Sequence, residues 1–145
     1  MEQRNPYKGN PPRPWVTVVF EKADGNKKVK KQLIADTGGV AAIRISRSFL
    51  HQIELEPVGI QDTNFGLAEG SWVWVEIPEL GFRQEVIAYG LDQLVAAVKH
   101  SHPDFEGSVG LPFLREFEYG GDENEFWIRS KQTAISLQTL VVPHA

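Results

Sequence analysis

The chain has 145 residues, a formal net charge of −4 and no cysteine. Its length predicts one domain with a substantial core, and the lack of cysteine excludes disulfides and cysteine-ligated metals. The acidic balance argues against a nucleic-acid binder, and the sequence has no apolar run long enough for a membrane span.

The first 14 residues contain four prolines and few apolar side chains. Proline at this density disfavours both a helix and a central strand. We expect an extended arm over residues 1–14 that becomes ordered when it meets a partner. Residues 1–6 lack the apolar core of a signal peptide, so a cytoplasmic location is expected, although a fragment of a larger precursor would look the same.

A hairpin is predicted next. Residues 15–20 are β-branched and aromatic, which is typical of a strand, and Asp24-Gly25 is a strong turn signal. The return strand covers residues 27–35. Its lysines indicate a solvated hairpin end rather than a basic binding patch.

Asp36 follows directly on this return strand, in the run Leu33-Ile34-Ala35-Asp36-Thr37-Gly38-Gly39. The apolar strand should hold Asp36 at the edge of a packed core, away from water, and the two glycines allow a sharp turn. A carboxylate kept in such a place usually has a function, since burying an unpaired charge is costly. Alternatively, the run is an ordinary strand-to-turn junction.

Residues 40–45 are apolar and should be extended. Ser46 can cap a short helix over residues 46–53, with its apolar residues on one face. Pro57 and Gly59 are expected to close this unit.

Residues 60–90 indicate a long hairpin, with strands over residues 71–77 and 82–89. Trp72 and Trp74 share a face of the first strand. The favoured interpretation is that they pack in the core, and the alternative is that they form a wall over a peptide groove.

Residues 91–100 have helical spacing of apolar side chains, and Pro103 ends this helix. A metal site made of His100, His102 and Asp104 is set aside. Two histidines with this spacing at a helix end point to different faces, and no further cluster of ligands supports the site.

A second apolar segment ends in Val109-Gly110-Leu111-Pro112-Phe113-Leu114. Pro112 suits the first turn of a helix, predicted over residues 112–117. A turn over residues 120–122, a strand over residues 125–128 and a last strand over residues 133–142 complete the chain.

Together these segments resemble the retropepsin-like aspartic proteases, the single-lobe type, over roughly residues 15–140. Residues 33–39 match the family's apolar-Asp-Thr-Gly motif, residues 60–90 stand where the family has its flap, and residues 109–114 match its second motif. The resemblance implies a mainly β closed barrel with two or three short helices and no metal or other cofactor.

The family's activity would make the chain an aspartic endopeptidase that acts as a twofold homodimer on a peptide or protein substrate, with no nucleic acid or membrane as partner. Asp36 would meet its copy in a shared catalytic dyad, because the chain has one such motif. The resemblance implies catalytic roles for Asp36, Thr37 and Gly38. It implies substrate contacts from Gly39, Ala68, Glu69, Gly70, Trp72, Val109 and Gly110. The N-terminal arm and the last strand would form an intermolecular sheet.

The sequence departs from the family at three positions. Gly39 stands where alanine or serine is usual, and Val40 and Leu111 stand near the places of an ion pair found in viral members. Two alternatives therefore stay open. One is an inactive peptide-binding or scaffold module with the same fold, and the other is an unrelated β-rich ligand-binding barrel.

Overall fold

The protein is described here by a computed structural model that covers residues 1–25 and 27–131. Within these residues it has ten strands and three short helices. In chain order these are β1 Glu2–Pro6, β2 Trp15–Glu21, β3 Lys28–Asp36, β4 Ile43–Ile45, α1 Arg47–Ile53, β5 Glu56–Thr63, β6 Gly66–Ile77, β7 Phe82–Gly90, α2 Asp92–Lys99, β8 Gly107–Gly110, α3 Leu111–Leu114, β9 Phe117–Gly121 and β10 Glu125–Ser130. No helix among the described residues is long and apolar enough to cross a membrane.

Six strands close into a barrel in the order β2-β3-β8-β4-β7-β6, with β6 pairing back onto β2. The closing pairs are Val19 with Glu76 and Phe20 with Val75. β5 continues the sheet beyond β6 as the outer strand of a hairpin. The predicted fold class, a mainly β closed barrel with short helices, is confirmed.

The core follows from the two-residue period of the strands. On β2, Val16, Val18 and Phe20 are fully buried. Helix α1 covers one side of the barrel, and the ring of Phe49 meets that of Phe20 edge-on with centroids 5.2 Å apart. As predicted, the Ser46 hydroxyl caps this helix by accepting the Phe49 N–H at 3.2 Å.

The two tryptophans of β6 do not pack in the core, so that interpretation was wrong. Val73, Val75 and Ile77 are fully buried instead, and strand alternation then turns Trp72 and Trp74 to the other face. The Trp72 side chain is 36% exposed. The guanidinium of Arg83 covers Trp74 at 4.0 Å from its ring centroid. The face of β6 that carries the β-branched side chains packs in the core, and this burial fixes the register of the strand.

Another expectation was wrong in detail. Residues 56–63 form strand β5, although Pro57 and Gly59 were expected to end the preceding unit. Their backbone irregularity is absorbed by a shift of register between the two residues, on an edge strand where proline is tolerated. The predicted strand over residues 133–142 lies outside the described residues.

Helix α3 ends at Leu114 rather than at residue 117. Phe117 begins β9, where it pairs with Ser130 of β10. Its ring packs between those of Phe82 and Phe113, at centroid distances of 4.8 and 5.4 Å. Strand pairing and this aromatic cluster therefore override the helical spacing. Residues 120 and 121 also belong to β9 instead of the predicted turn.

The N-terminal arm is extended, as expected, but its first residues are already paired within the chain. β1 lies antiparallel to β10 at the edge of a three-stranded sheet β1-β10-β9. The buried amide of Gln3 joins this sheet to the barrel. It donates to the Thr17 carbonyl at 2.9 Å and accepts the Thr17 N–H at 2.8 Å.

We predict that Gln3→Leu lowers the free energy of unfolding by about 2 kcal/mol, since the buried N–H and carbonyl of Thr17 lose their partners. Urea denaturation would measure the change. Arg4→Gln is the matched control on the exposed side of the same strand and should retain wild-type stability. Equal stability of Gln3→Leu and wild type would contradict a docked β1.

Candidate functional site

Asp36 is the last residue of β3, where it pairs in parallel with Gly110 of β8. The chain then turns tightly. The Gly38 N–H donates to Asp36 Oδ1 at 3.0 Å, and the Gly39 N–H donates to the Asp36 carbonyl at 3.0 Å. Its own turn therefore fixes the carboxylate at the end of the strand.

In the single chain this carboxylate is exposed, contrary to the expectation of a dry site. Asp36, Thr37 and Gly38 all face solvent. Val40 is 83% exposed and Leu111 is 40% exposed beside them. The sheet ends at Asp36, and nothing in the described residues covers the turn. Thr37 makes no side-chain hydrogen bond within residues 1–25 and 27–131.

The backbone is most crowded where Gly110 meets the turn after Asp36. β8 runs between β3 and β4, parallel to the first and antiparallel to the second. A Cβ on Gly110 would lie 2.1 Å from the Ala41 carbonyl oxygen and 2.8 Å from that of Gly39. The Gly110 N–H bonds the Ala42 carbonyl at 2.9 Å. Only glycine fits between these segments.

A row of residues crosses the sheet just below Asp36. Residues directly opposite each other on neighbouring strands point to the same face. From β3 to β5 the register places in one row Ile34, Ser108, Arg44, Tyr89, Gly70 and Gly59. Asp36, two residues beyond Ile34, shares their face.

This face lines a cavity of about 370 Å³, which we call the Asp36 cavity. Its polar groups come from Arg13, Asp36, Arg44, Ser101, His102 and Ser108, and its apolar wall comes from β3, α2 and the loop after α2. A cleft of this size can hold a few side chains of a peptide. Asp36 is its only carboxylate among the described residues.

The β5–β6 hairpin reaches the same place. Its tip is Asn64-Phe65, and the Thr63 hydroxyl accepts the Phe65 N–H at 3.1 Å while donating to the Gly66 carbonyl at 2.7 Å. Phe65 is 47% exposed, yet it lines both the Asp36 cavity and a second cavity of about 230 Å³ between the hairpin and Tyr89, here called the hairpin cavity.

The structure brings together some of the substrate-binding residues expected from the sequence. Ala68 lines the hairpin cavity. Gly70 lies against the Tyr89 ring, where a Cβ would come within 2.8 Å of Tyr89 Cε1. Gly39 is buried between Gly110 and Arg44, where a Cβ would lie 3.2 Å from the Gly110 Cα, a tight contact, and 3.5 Å from Arg44 Nη1, an ordinary one.

Three other expected residues lie elsewhere. Val109 is fully buried in the core. Trp72 shares the strand face of Gly70 but lines neither of the two cavities. Glu69 points to the opposite face of β6, because neighbouring residues of a strand alternate.

Glu69 anchors the base of the hairpin to helix α1. Its carboxylate bonds His51 Nε2 at 2.6 Å and Arg47 Nε at 3.1 Å. The bond with His51 has the largest effect and the bond with Arg47 the next largest. Together they hold the pKa of the Glu69 carboxyl below its ordinary value of 4.5. Its role is therefore structural, since it holds one strand of the hairpin in place.

Sequence reasoning missed Arg44, Tyr89 and Phe65 as members of the site. Arg44 offered a signal, because it is the one charged residue in the apolar run of residues 40–45. The other two depend on strand order, which local sequence does not reveal.

The histidines set aside as metal ligands have other surroundings. His102 is buried, with Nε2 at 3.1 Å from the Pro11 carbonyl oxygen and Nδ1 at 3.0 Å from the Ser101 hydroxyl. It fastens the N-terminal segment to the end of α2. Across residues 1–25 and 27–131, no group of three His, Asp or Glu side chains is placed to hold a metal.

No family model, curated protein or solved structure matches this chain. Its function must therefore be inferred from its own residues and their geometry.

We predict that Gly110→Ala lowers the free energy of unfolding by about 3 kcal/mol or more, because the new methyl group overlaps the Ala41 carbonyl. Gly39→Ala is the matched comparison. Its nearest contacts would be 3.2 Å, so it should cost clearly less. Urea denaturation of both variants tests the order, and equal losses would contradict the packing described.

A second prediction concerns the Glu69 anchor. A carboxyl with a lowered folded-state pKa contributes stability above its ordinary pKa and loses it as the pH falls through the folded-state value. Glu69→Gln should therefore be less stable than wild type at neutral pH. The difference should shrink once the pH falls below 4.5. Melting temperatures across the acidic range measure it, and a pH-independent difference would contradict the ion-pair origin.

Proposed function

We propose that the protein is one half of an aspartic endopeptidase that hydrolyses peptide bonds in unfolded or extended substrates. Asp36 carries this proposal. It is an exposed carboxylate, oriented by the Gly38 amide at 3.0 Å, that lines a cavity also reached by a hairpin tip. A fixed carboxylate can activate a water for attack on an amide, and a cleft with a hairpin tip at its edge can hold an extended peptide beside it.

The reaction needs two carboxylates around one water. One takes a proton from the water as it attacks the amide carbon, and the other gives a proton to the amide. The Asp36 cavity has one carboxylate among the described residues. We infer that a second copy supplies the other across a twofold axis. Two carboxylates in contact cannot both ionise easily, so the pair would hold one shared proton under mildly acidic conditions.

The surroundings of Asp36 favour such a dimer. Val40 and Leu111 expose apolar surface on either side of the turn, and Thr37 has no side-chain partner within the described residues. A second copy would cover these groups. The Thr37 hydroxyl could then bond across the axis and hold the dyad in position.

The hairpin would cover the substrate. An extended peptide lying along the Asp36 cavity would pass under Phe65, which lines both cavities. Main-chain hydrogen bonds would hold such a peptide in register, with its side chains in alternate pockets.

A second candidate is a peptide-binding module without turnover. Gly39 favours it, because alanine or serine is usual there in the retropepsin-like proteases that the chain resembles. Val40 and Leu111 favour it as well, because they stand near the places of an ion pair found in viral members of that family. The two candidates differ in one respect, since both bind peptides but only the peptidase cleaves them.

We predict that Asp36→Asn abolishes cleavage of an unfolded protein such as casein at mildly acidic pH, while the melting temperature stays equal or rises because like charges no longer face each other. Asp104→Asn is the matched control. It neutralises an exposed aspartate that does not line the Asp36 cavity and should leave the rate unchanged.

A pepsin-type transition-state analogue should inhibit the wild-type protein, and a metal chelator should not. Cleavage that persists in Asp36→Asn, or that the chelator stops, would contradict catalysis by Asp36. Peptide binding without any cleavage by the wild type would favour the inactive module.

A further inference from the structure

Arg44 occupies the wall between the two cavities. It lies on β4 between Ser108 of β8 and Tyr89 of β7, and it lines both the Asp36 cavity and the hairpin cavity. Its side chain packs over the turn after Asp36, with Nη1 at 3.5 Å from the position of a Cβ on Gly39. The guanidinium therefore lies close to the turn that follows Asp36.

This guanidinium has no carboxylate partner in the part of the chain that the structure describes. Arg4, Arg47, Arg83 and Arg129 each pair with a glutamate. Arg44 and Arg13, the two arginines of the Asp36 cavity, form no ion pair with any residue in the ranges 1–25 and 27–131. Arg44 is also half-buried. A cation that is partly removed from water and unpaired favours an incoming anion.

The rest of the cavity suits a carboxylate on a short apolar stem. Ile34, Leu94, Val98 and Phe105 give it an apolar wall, and the planar fork of an arginine matches a carboxylate with two parallel hydrogen bonds. A glutamate side chain would place its methylenes along this wall and its carboxylate on Arg44. Arg13 is exposed at the rim, where solvent and salt weaken its attraction.

We propose that Arg44 is a specificity-determining residue that binds a substrate carboxylate, so that the site prefers peptides with glutamate close to the scissile bond. This inference rests on the peptidase function proposed above. It assigns to this site acidic peptides as the substrate class, although the chain as a whole carries a net negative charge.

The test first maps the sites at which the wild-type protein cuts casein. Matched peptides are then made around these sites with either Glu or Gln next to the scissile bond. Wild type should have a kcat/KM roughly tenfold or more higher for the Glu peptide. Arg44→Gln should remove this preference, so that the Glu and Gln peptides give nearly equal values of kcat/KM. Arg44→Lys, which keeps the charge but not the planar fork, should retain a reduced preference.

Arg129→Gln is the matched control, because it removes the same charge from an exposed residue of β10 that lines neither cavity and takes no part in the Glu69 anchor. It should keep the wild-type preference. Circular dichroism and melting temperature would show that the Arg44 variants are folded. A Glu preference that is absent in wild type, or that is unchanged in folded Arg44→Gln, would overturn the role of Arg44.

A binding measurement separates this inference from the proposed function. Fluorescence anisotropy would measure the affinity of the Asp36→Asn protein for labelled peptides. These peptides are segments of casein made in Glu and Gln forms. Tighter binding of the Glu form, lost when Arg44→Gln is added, supports the carboxylate site. If the wild type cleaves nothing while this binding is seen, only the peptidase function is overturned. Equal affinities overturn the inference, and no binding with no cleavage overturns both.

Discussion

The contact between Gly110 and the segment that follows Asp36 fixes the position of the candidate catalytic carboxylate. β8 reaches this contact between β3 and β4, which are far apart in sequence from it. A side chain at residue 110 would overlap the Ala41 carbonyl. The bare backbone instead lets Asp36 end its strand beside β8, while the Gly38 amide orients the carboxylate. The guanidinium of Arg44 lies next to Gly39 in the same segment. Both charged groups of the site therefore lie beside one close approach of main chain.

The local parts of this arrangement could be predicted from the sequence. The β2–β3 hairpin follows from β-branched strands and the Asp24-Gly25 turn, and α1 follows from its Ser46 cap. The predictions that failed concern segments whose structure depends on residues distant in sequence. β5 forms despite Pro57 because β6 supplies its partners, and Phe117 leaves the helical pattern for an aromatic cluster. The location of Arg44 beside Asp36 requires the order β3-β8-β4, which no local pattern contains.

The exposure of Asp36 links the fold to the proposed mechanism. The described residues of a single chain leave its Asp36 carboxylate, the Thr37 hydroxyl and the apolar side chains of Val40 and Leu111 uncovered. One carboxylate cannot serve as both the base and the acid of amide hydrolysis at the same moment. A twofold dimer would both cover the exposed turn and supply the second carboxylate. It would also bring in the Arg44 of the second copy, so that a peptide would meet a cation on either side of the dyad.

The shared dyad is tested most directly by mixing chains. Wild type and Asp36→Asn are refolded together in varying ratios at constant total concentration, and the rate of casein cleavage is measured. Since each active pair would need two intact copies, the rate should follow the square of the wild-type fraction and fall to about one quarter in an equal mixture. A rate that falls in simple proportion to the wild-type fraction would contradict the shared dyad, because each chain would then act alone.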